Sequence, residues 1–460
     1  MLLIRARDCL AGQVIPLHGR AGMKTHWLNR WEAVRSSFWF VPAMMVIIAI
    51  GLARIIVTLD HQLAHFSLVL PDIGFSGGAE GARSVLSTIA GSMVTVAGVA
   101  FSITIVALTL ASSQFGPRLL RNFMRDPGNQ YVLGTFIATF IYCLLVLSSV
   151  THANGDEFVP RIAVNLALLL ALFNVAVLIY FIHHVATSIQ ADNVVNGVYE
   201  ELNQHIEHFF PDELGESDPE PLQGDSHSTG MYHHVVAADC EGYLQAVDRQ
   251  CLCQLAQQFN CRIVLGYRAG EFVVKGCSIA VVQSDTEPED GLDSELLDCM
   301  IVGKLRTPEQ DPEFAVHQLV EVAVRALSPG INDPFTAMTC VDRLSAVLCT
   351  LTGRSFHSAR WYDDDGQLRL EERPLTFTGI LNAAFDQIRQ HGKSDTAVTI
   401  RLLESLGRIA SYCRTSEQQD AVRRQAEMIL RSSQDSLNEP QDLADIEQRF
   451  QAIQDEMRQY

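Results

Sequence analysis

Four long apolar runs constrain this chain more than any other feature. The first, "SSFWFVPAMMVIIAIGLARIIVTL", extends from Ser36 to Leu59 and is interrupted only by Arg54. The second carries no charged residue from Ser84 to Pro117. The third, "YVLGTFIATFIYCLLVLSSV", covers Tyr131 to Val150, and the fourth starts near Ile162 and continues to about His183. Each is long enough to cross a hydrocarbon core of about 30 Å. Backbone polar groups in lipid need partners within their own segment, so all four are expected as helices.

Charge divides the chain in the same way. Residues 1–189 hold 12 Lys and Arg against 8 Asp and Glu, whereas residues 190–460 hold 22 against 45, for a total of −19. A near-neutral apolar part joined to an acidic part reads as a membrane domain plus a domain in water. The acidic surface excludes nucleic acid as a partner. The expected fold class is membrane α-helical, with four transmembrane helices, plus a cytoplasmic α+β domain made of a small β module and a helical bundle. The divisions are 1–35, a cytoplasmic N-terminal segment; 36–189, the spans; 190–230, a helical extension and the polar linker "PDELGESDPEPLQGDSHSTG"; 231–310, the β module; and 311–460, the helices.

The connectors set the orientation. Arg20, Lys24, Arg30 and Arg35 precede the first span, and Arg118, Arg121 and Arg125 follow the second. The other two connectors are acidic, with Asp60, Asp72 and Glu80 in one and Asp156 and Glu157 in the other. The positive-inside rule then places both termini in the cytoplasm of a bacterial inner membrane, with membrane lipid as the first partner. The first thirty residues lack an apolar h-region, so no signal peptide is expected, and Met23 is an alternative start. Of the eleven cysteines, nine lie between Cys240 and Cys413. In a reducing compartment they are expected as free thiols, and the Cys251-x-Cys253 pair with Cys261 falls short of a zinc set. Arg54 is expected to snorkel or to pair with Asp60. His183-His184, at the cytoplasmic end of the fourth span, read as interfacial side chains, whereas His61 and His65, four residues apart on the outer side, are a pair that could bind a metal or sense pH but is weak evidence by itself.

The second span is unlike the others. Thr88, Gly91, Ser92, Thr95, Gly98, Ser102, Thr109 and Ser113 recur at three, four or seven residues and form one helical face. Such a face lets helices approach closely. It can also line a pore, with hydroxyls turned towards water. Val85 to Ala111 makes about 40 Å of helix, longer than the core it crosses. After it, Gly116-Pro117 and "PRLLRNFM" read as a break and an interfacial coupling segment.

In the acidic part, "GYLQAVD" reads as a strand, "RQCLCQLAQQFN" as a helix and "RIVLGYRAGEFVVKGCSIAVV" as a strand pair. "GEFVVKG" is similar to the hairpin of barrel-sandwich folds, without their lysine motif. Six helices follow, from "PEQDPEFAVHQLVEVAVRAL" to "NEPQDLADIEQRFQAIQDEM". Between the first two lies "ALSPGINDPFTA", Ala326 to Ala337. Ser328-Pro329-Gly330 ends one helix, Asp333 suits an N-cap and Pro334 suits N1 of the next. This reads as a connector. The remaining candidates for an anion site on the helix amides are Arg325, Ser328, Asn332, Asp333 and Thr336, with Arg306 and Thr307 upstream. No nucleophile–base pair, Walker loop, dinucleotide fingerprint or metal cluster is present, so no enzyme and no cofactor is expected.

The four spans, "FSITIVALTLASSQFGPRLLRNFMRD", "GEFVVKG" and "ALSPGINDPFTAMTCVDRL" together resemble the predicted bacterial membrane proteins grouped as domain of unknown function 2254, over roughly residues 25–430. The resemblance implies topology and no settled activity. The organisation is also similar in outline to small-conductance mechanosensitive channels, whose soluble domain differs. The expectation is a homo-oligomeric channel or passive pore for ions or small solutes. Thr88, Ser92, Thr95, Gly98, Ser102 and Thr109 would line it, and the cytoplasmic domain would gate it. The alternative is a non-conducting sensor or scaffold that binds an anionic ligand at the 326–337 loop.

Overall fold

The computed structural model describes residues 39–458 except 66–74, 76, 117–125, 154–155, 211–231, 288–290 and 357. The expectations for the N-terminal segment and Met23, for the polar linker and for the segment after Gly116 fall outside the described residues. The chain forms two compact units, divided near Asn193.

The first unit is built from four helices: α1 (Phe40–His65), α2 (Ala79–Phe115), α3 (Pro127–Ser149) and α4 (Arg161–Ser188). All four are long and apolar enough to cross a membrane. They coincide with the four apolar runs and extend them by a few polar residues at the ends. A short hairpin, β1 (Thr151–Ala153) with β2 (Asp156–Phe158), joins α3 to α4. Helix α3 is central, since it packs against α1, α2 and α4. Its start follows from local chemistry: Asp126 caps it by accepting the Gly128 N–H at 2.9 Å, and Pro127 occupies the first turn.

Lipid offers no hydrophobic drive to pack helices, so close approach and internal hydrogen bonds hold this unit together. Gly134 on α3 has no side chain because α1 runs directly over it. A Cβ there would lie 2.5 Å from Met45 Sδ and 3.2 Å from Pro42 Cα. Tyr142 on α3 donates its hydroxyl to the Ala163 carbonyl on α4 at 3.0 Å. Asn174, 1% exposed in the middle of α4, donates to Thr139 Oγ1 on α3 at 2.8 Å. The expected Arg54–Asp60 pair does not form. Asp60 is buried, and its carboxylate accepts the Ile162 and Ala163 amides at the start of α4. Amide donors with no partner in the first helical turn satisfy this carboxylate from a fixed distance, and Arg54 stays exposed.

The second unit begins with amphipathic α5 (Ala191–Phe209), which buries Val194, Val195, Val198, Leu202 and Ile206. The strands and short helices follow: β3 (Tyr232–Ala237), β4 (Gly242–Val247), α6 (Arg249–Gln258), β5 (Cys261–Leu265), β6 (Phe272–Val273), β7 (Ser278–Ser284), α7 (Leu292–Asp298) and β8 (Met300–Gly303). Then come α8 (Pro312–Ala326), α9 (Pro334–Leu351), β9 (Arg360–Tyr362), β10 (Leu368–Glu371), α10 (Phe377–Gly392), α11 (Thr396–Ala410), α12 (Ser416–Ser436) and α13 (Pro440–Arg458). The strands form two sheets, ordered β3-β7-β5-β10-β9 and β6-β4-β8. Among the described residues, only the β10–β5 pair is parallel. Helices α8 to α13 pack on one another as the expected bundle.

Three further expectations differ from this structure. The "GEFVVKG" hairpin does not exist, because β6 pairs with β4 and β7 pairs with β3 and β5 in the other sheet. The segment after 310 is not purely helical: its β9–β10 hairpin extends the sheet of the β module beside β5. Finally, the thiols are not all free. Cys251 in the first turn of α6 is disulfide-bonded to Cys299 before β8, across 48 residues of chain. Alternation alone cannot tell which strand a strand pairs with, nor can spacing show that two distant cysteines meet.

Candidate functional site

Helix α2 is 37 residues long, about 55 Å, so it exceeds a bilayer core by several turns. Its covered side is the stripe Ala82, Leu86, Ile89, Ala90, Met93, Ala97 and Ala100, which faces α3 and α4. The hydroxyl and small-residue face lies on the other side. Thr88, Ser92, Thr95, Gly98, Ser102 and Thr109 are all exposed. The structure therefore brings every pore-lining candidate onto one face and turns that face away from the rest of its own bundle. A Cβ added at Gly91 or Gly98 would touch nothing within 4 Å.

The hydroxyls on this face share one geometry. Thr88 donates to Ser84 O at 2.7 Å, Ser92 to Thr88 O at 2.8 Å and Thr95 to Gly91 O at 3.0 Å. Ser102 donates to Gly98 O and Thr109 to Ile105 O, both at 2.8 Å. Each proton is used by the carbonyl one turn back, which is why hydroxyls are tolerated here without a neighbour. What the face presents outward is hydroxyl oxygen, an acceptor.

The 326–337 loop is built as a connector. Asp333 accepts the Thr336 amide at 3.1 Å and the Thr336 hydroxyl at 2.5 Å. The Asp333 amide returns to Ala326 O at 2.8 Å, and the Asn332 amide to Ser328 O at 2.9 Å. Asn332 takes a left-handed conformation (φ 52°), which asparagine tolerates better than most residues. Arg325 turns back along α8 towards Glu321, with Nε 3.6 Å from Oε1. The start of α9 thus already holds a carboxylate where an external anion would sit. Burial pushes the nearby Cys340 thiol up, and the Asp333 charge adds to it. Arg306 and Thr307 are not part of this cluster. Arg306 holds Asp311 with two guanidinium nitrogens and contacts His317 Nδ1 at 3.1 Å, at the far end of α8. Fifteen helical residues, about 22 Å, separate that end from the loop.

Two polar positions inside the membrane unit escape sequence reading. Asn174 interrupts the most apolar run. Asn129 opens the third span and is 8% exposed. The Oδ1 atoms of both are buried without a hydrogen-bond partner. Asn129 stands beside Asp126, whose Oδ2 is 2.6 Å from His184 Nε2 on α4. An amide placed in an otherwise apolar run was the available signal. His61 packs edge-on against Phe158, and the His65 side chain lies outside the described residues. Among the described residues, no group of three His, Cys, Asp or Glu side chains is placed to hold a metal ion.

Comparison with known sequences adds three findings. The family described as "Predicted membrane protein (DUF2254)" matches residues 35–408. An uncharacterized protein of Mycobacterium tuberculosis strain H37Rv is 31% identical over 438 residues, covering 93% of this chain and 83% of its own length. An uncharacterized protein of Mycobacterium bovis matches with the same identity and coverage. No solved structure matches.

Proposed function

The chain belongs to the DUF2254 family of predicted membrane proteins, and from that premise we propose that it is a homo-oligomeric channel or passive pore lined by α2. One observation carries this reading: the hydroxyl face of α2 lies opposite the stripe that packs within the subunit. Gly91 and Gly98 leave room for a second backbone to approach, as small-residue faces do between membrane helices. Copies arranged around an axis would bring these faces together. Thr88, Ser92, Thr95, Ser102 and Thr109 would then present oxygens to the lumen, with Gly98 between them. A wall of acceptors whose protons are already used favours cations or neutral donors over anions. The α+β unit, placed in the cytoplasm by the positive-inside rule, would assemble and gate the pore.

A non-conducting sensor that binds an anion at Ser328, Asn332 and Thr336 is the weaker reading. The Asp333 carboxylate occupies the helix amides there, and Arg325 points to Glu321.

Single-channel recording of the purified protein in planar bilayers tests the pore. Discrete currents are expected, and Ser102→Trp is expected to change their conductance several-fold. Ile55→Trp, at an exposed position of α1 away from the α2 face, serves as the control and should leave conductance unchanged. Silence across voltage, membrane tension and pH, with oligomers absent, would overturn the proposal.

A further inference from the structure

The Cys251–Cys299 bond is an exception among the cysteines of its unit. The seven others between Cys240 and Cys413 are free thiols. An oxidising compartment does not leave so many thiols unpaired, whereas in a reducing one a bonded pair is rare and most often senses redox state. The inference below rests on the reading that the α+β unit faces the cytoplasm. The bond joins two element ends: Cys251 lies in the first turn of α6, and Cys299 falls between α7 and β8. The Asp248 amide donates to Cys299 O at 2.8 Å, so backbone and disulfide fasten the same corner. What they fasten is slight. Helix α7 has seven residues and buries Leu292 and Leu296, and β8 has four residues at the edge of its sheet, beside β4. Elements this short do not hold by themselves.

The two cysteines differ in access. Cys251 is partly exposed and Cys299 is 4% exposed, so a reductant meets Cys251 first. The reduced state is also provided for: Glu295 O lies 3.4 Å from Cys299 Sγ and can accept its S–H once the bond is open. Cys253, two residues from Cys251, does not compete. Burial and the Glu372 and Asp363 charges push its thiol up, so little of it is thiolate near neutral pH. We propose that Cys251–Cys299 is a reversible thiol–disulfide switch, opened by a dithiol reductant, that fastens and frees the α7–β8 corner. One thiolate of the reductant attacks Cys251 Sγ and forms a mixed disulfide. The original S–S bond breaks with its electron pair on Cys299 Sγ, which takes a proton from solvent. The second thiolate of the reductant then attacks the reductant sulfur of the mixed disulfide and releases Cys251 as thiolate. Two electrons pass to the protein, and the reductant leaves as its own disulfide. A disulfide reagent reverses the sequence.

The test treats the full chain, purified in detergent without reductant, with dithiothreitol at neutral pH and no denaturant. Alkylation with peptide mapping reads the bond, and hydrogen exchange reads the corner. The bond is expected to open in the folded protein. The amides of residues 292–303 should then exchange several-fold faster, with those of α8 unchanged, and oxidised glutathione should restore both. Cys251→Ser and Cys299→Ser should each show the faster exchange and no response to dithiothreitol. In acid-quenched, alkylated cells the bonded fraction should rise with the thiol oxidant diamide and fall after its removal. A bond that opens only in denaturant, exchange unaffected by reduction, or a bonded fraction that ignores diamide would each overturn the switch. Protease added to sealed spheroplasts checks the orientation separately. Cleavage of the α+β unit only after lysis is expected, and cleavage before lysis would overturn the cytoplasmic reading and the switch with it. None of these readouts depends on current, so the switch and the pore stand or fall separately.

Discussion

The Asp60 carboxylate, near the end of α1, closes the first turn of α4: its Oδ2 accepts the Ala163 N–H at 3.0 Å, while Oδ1 accepts that of Ile162 at 3.1 Å. A side chain one hundred residues upstream thus supplies the cap that Pro160, the residue before α4, cannot provide. Removing it leaves two amide donors buried without partners. Asp60→Ala is expected to cost about 1–2 kcal/mol and to lower the thermal midpoint in detergent, with Asp60→Asn milder. An unchanged midpoint in Asp60→Ala would show that other groups satisfy these amides.

Two glycines should respond oppositely to alanine. Gly270 has φ 92°, and a Cβ there would run into the Asp311 carboxylate, which caps α8 and is held by Arg306. Gly270→Ala is therefore expected to destabilise the α+β unit by about 2 kcal/mol or more. Gly197 lies within α5 with open space around its Cβ position, and Gly197→Ala is expected to stabilise by roughly 0.5–1 kcal/mol. Denaturant unfolding followed by circular dichroism gives both signs in one experiment.

The Cys251–Cys299 bond closes a long loop across the β module. Its constraint on the unfolded chain corresponds to about 2–4 kcal/mol. Peptide mapping without reductant should recover the two cysteines as one cross-linked fragment, and Cys251→Ser should lower the denaturant midpoint. The free thiols should alkylate slowly near neutral pH. Burial pushes Cys261 up to about 11 and Cys413 up to about 12, so little thiolate is present. Their rates should rise about tenfold per pH unit until those values are approached.

Asp363 and Arg369 form an almost fully buried ion pair inside the β9–β10 hairpin, with Nε 2.7 Å from Oδ2. Burial by itself raises the Asp363 carboxyl. The Arg369 hydrogen bond and the Gln367 and Asp365 amides outweigh it, so the carboxyl titrates below the usual range. A carboxylate depressed by folding contributes stability above its unfolded value near 3.8, and that contribution is lost as pH falls through the lower folded value. The hairpin, and with it the β10–β5 edge, is expected to hold at pH 5 and loosen below about pH 4. Arg369→Ala leaves a buried charge unpaired and should cost about 3 kcal/mol at neutral pH. Hydrogen exchange at Leu370, which pairs with Ile263, reports both changes.

Legibility in the sequence followed the range of the interaction. The capped start of α9 was readable because Asp333 and Thr336 are three residues apart and Pro334 can occupy only the first turn. The helices of the bundle were readable from periodicity. The β9–β10 hairpin was not, because its strands are three and four residues long and its stability comes from pairing with β5, about a hundred residues earlier. The candidate face of α2 was readable as a set of residues, but not as a direction.

The sequence by itself determined the four spans, the single face that collects the hydroxyls of α2, and the caps that start and stop the bundle helices. These depend on helical period, apolar length and neighbours a turn apart, all of which are local. Only the tertiary structure decided that this face turns away from its own bundle, that Asp60 serves α4 rather than Arg54, that Cys251 meets Cys299, and that Asn129 buries its Oδ1 without a partner. Each of those depends on groups brought together from distant parts of the chain, where close packing and the cost of an unpaired polar atom select the partner.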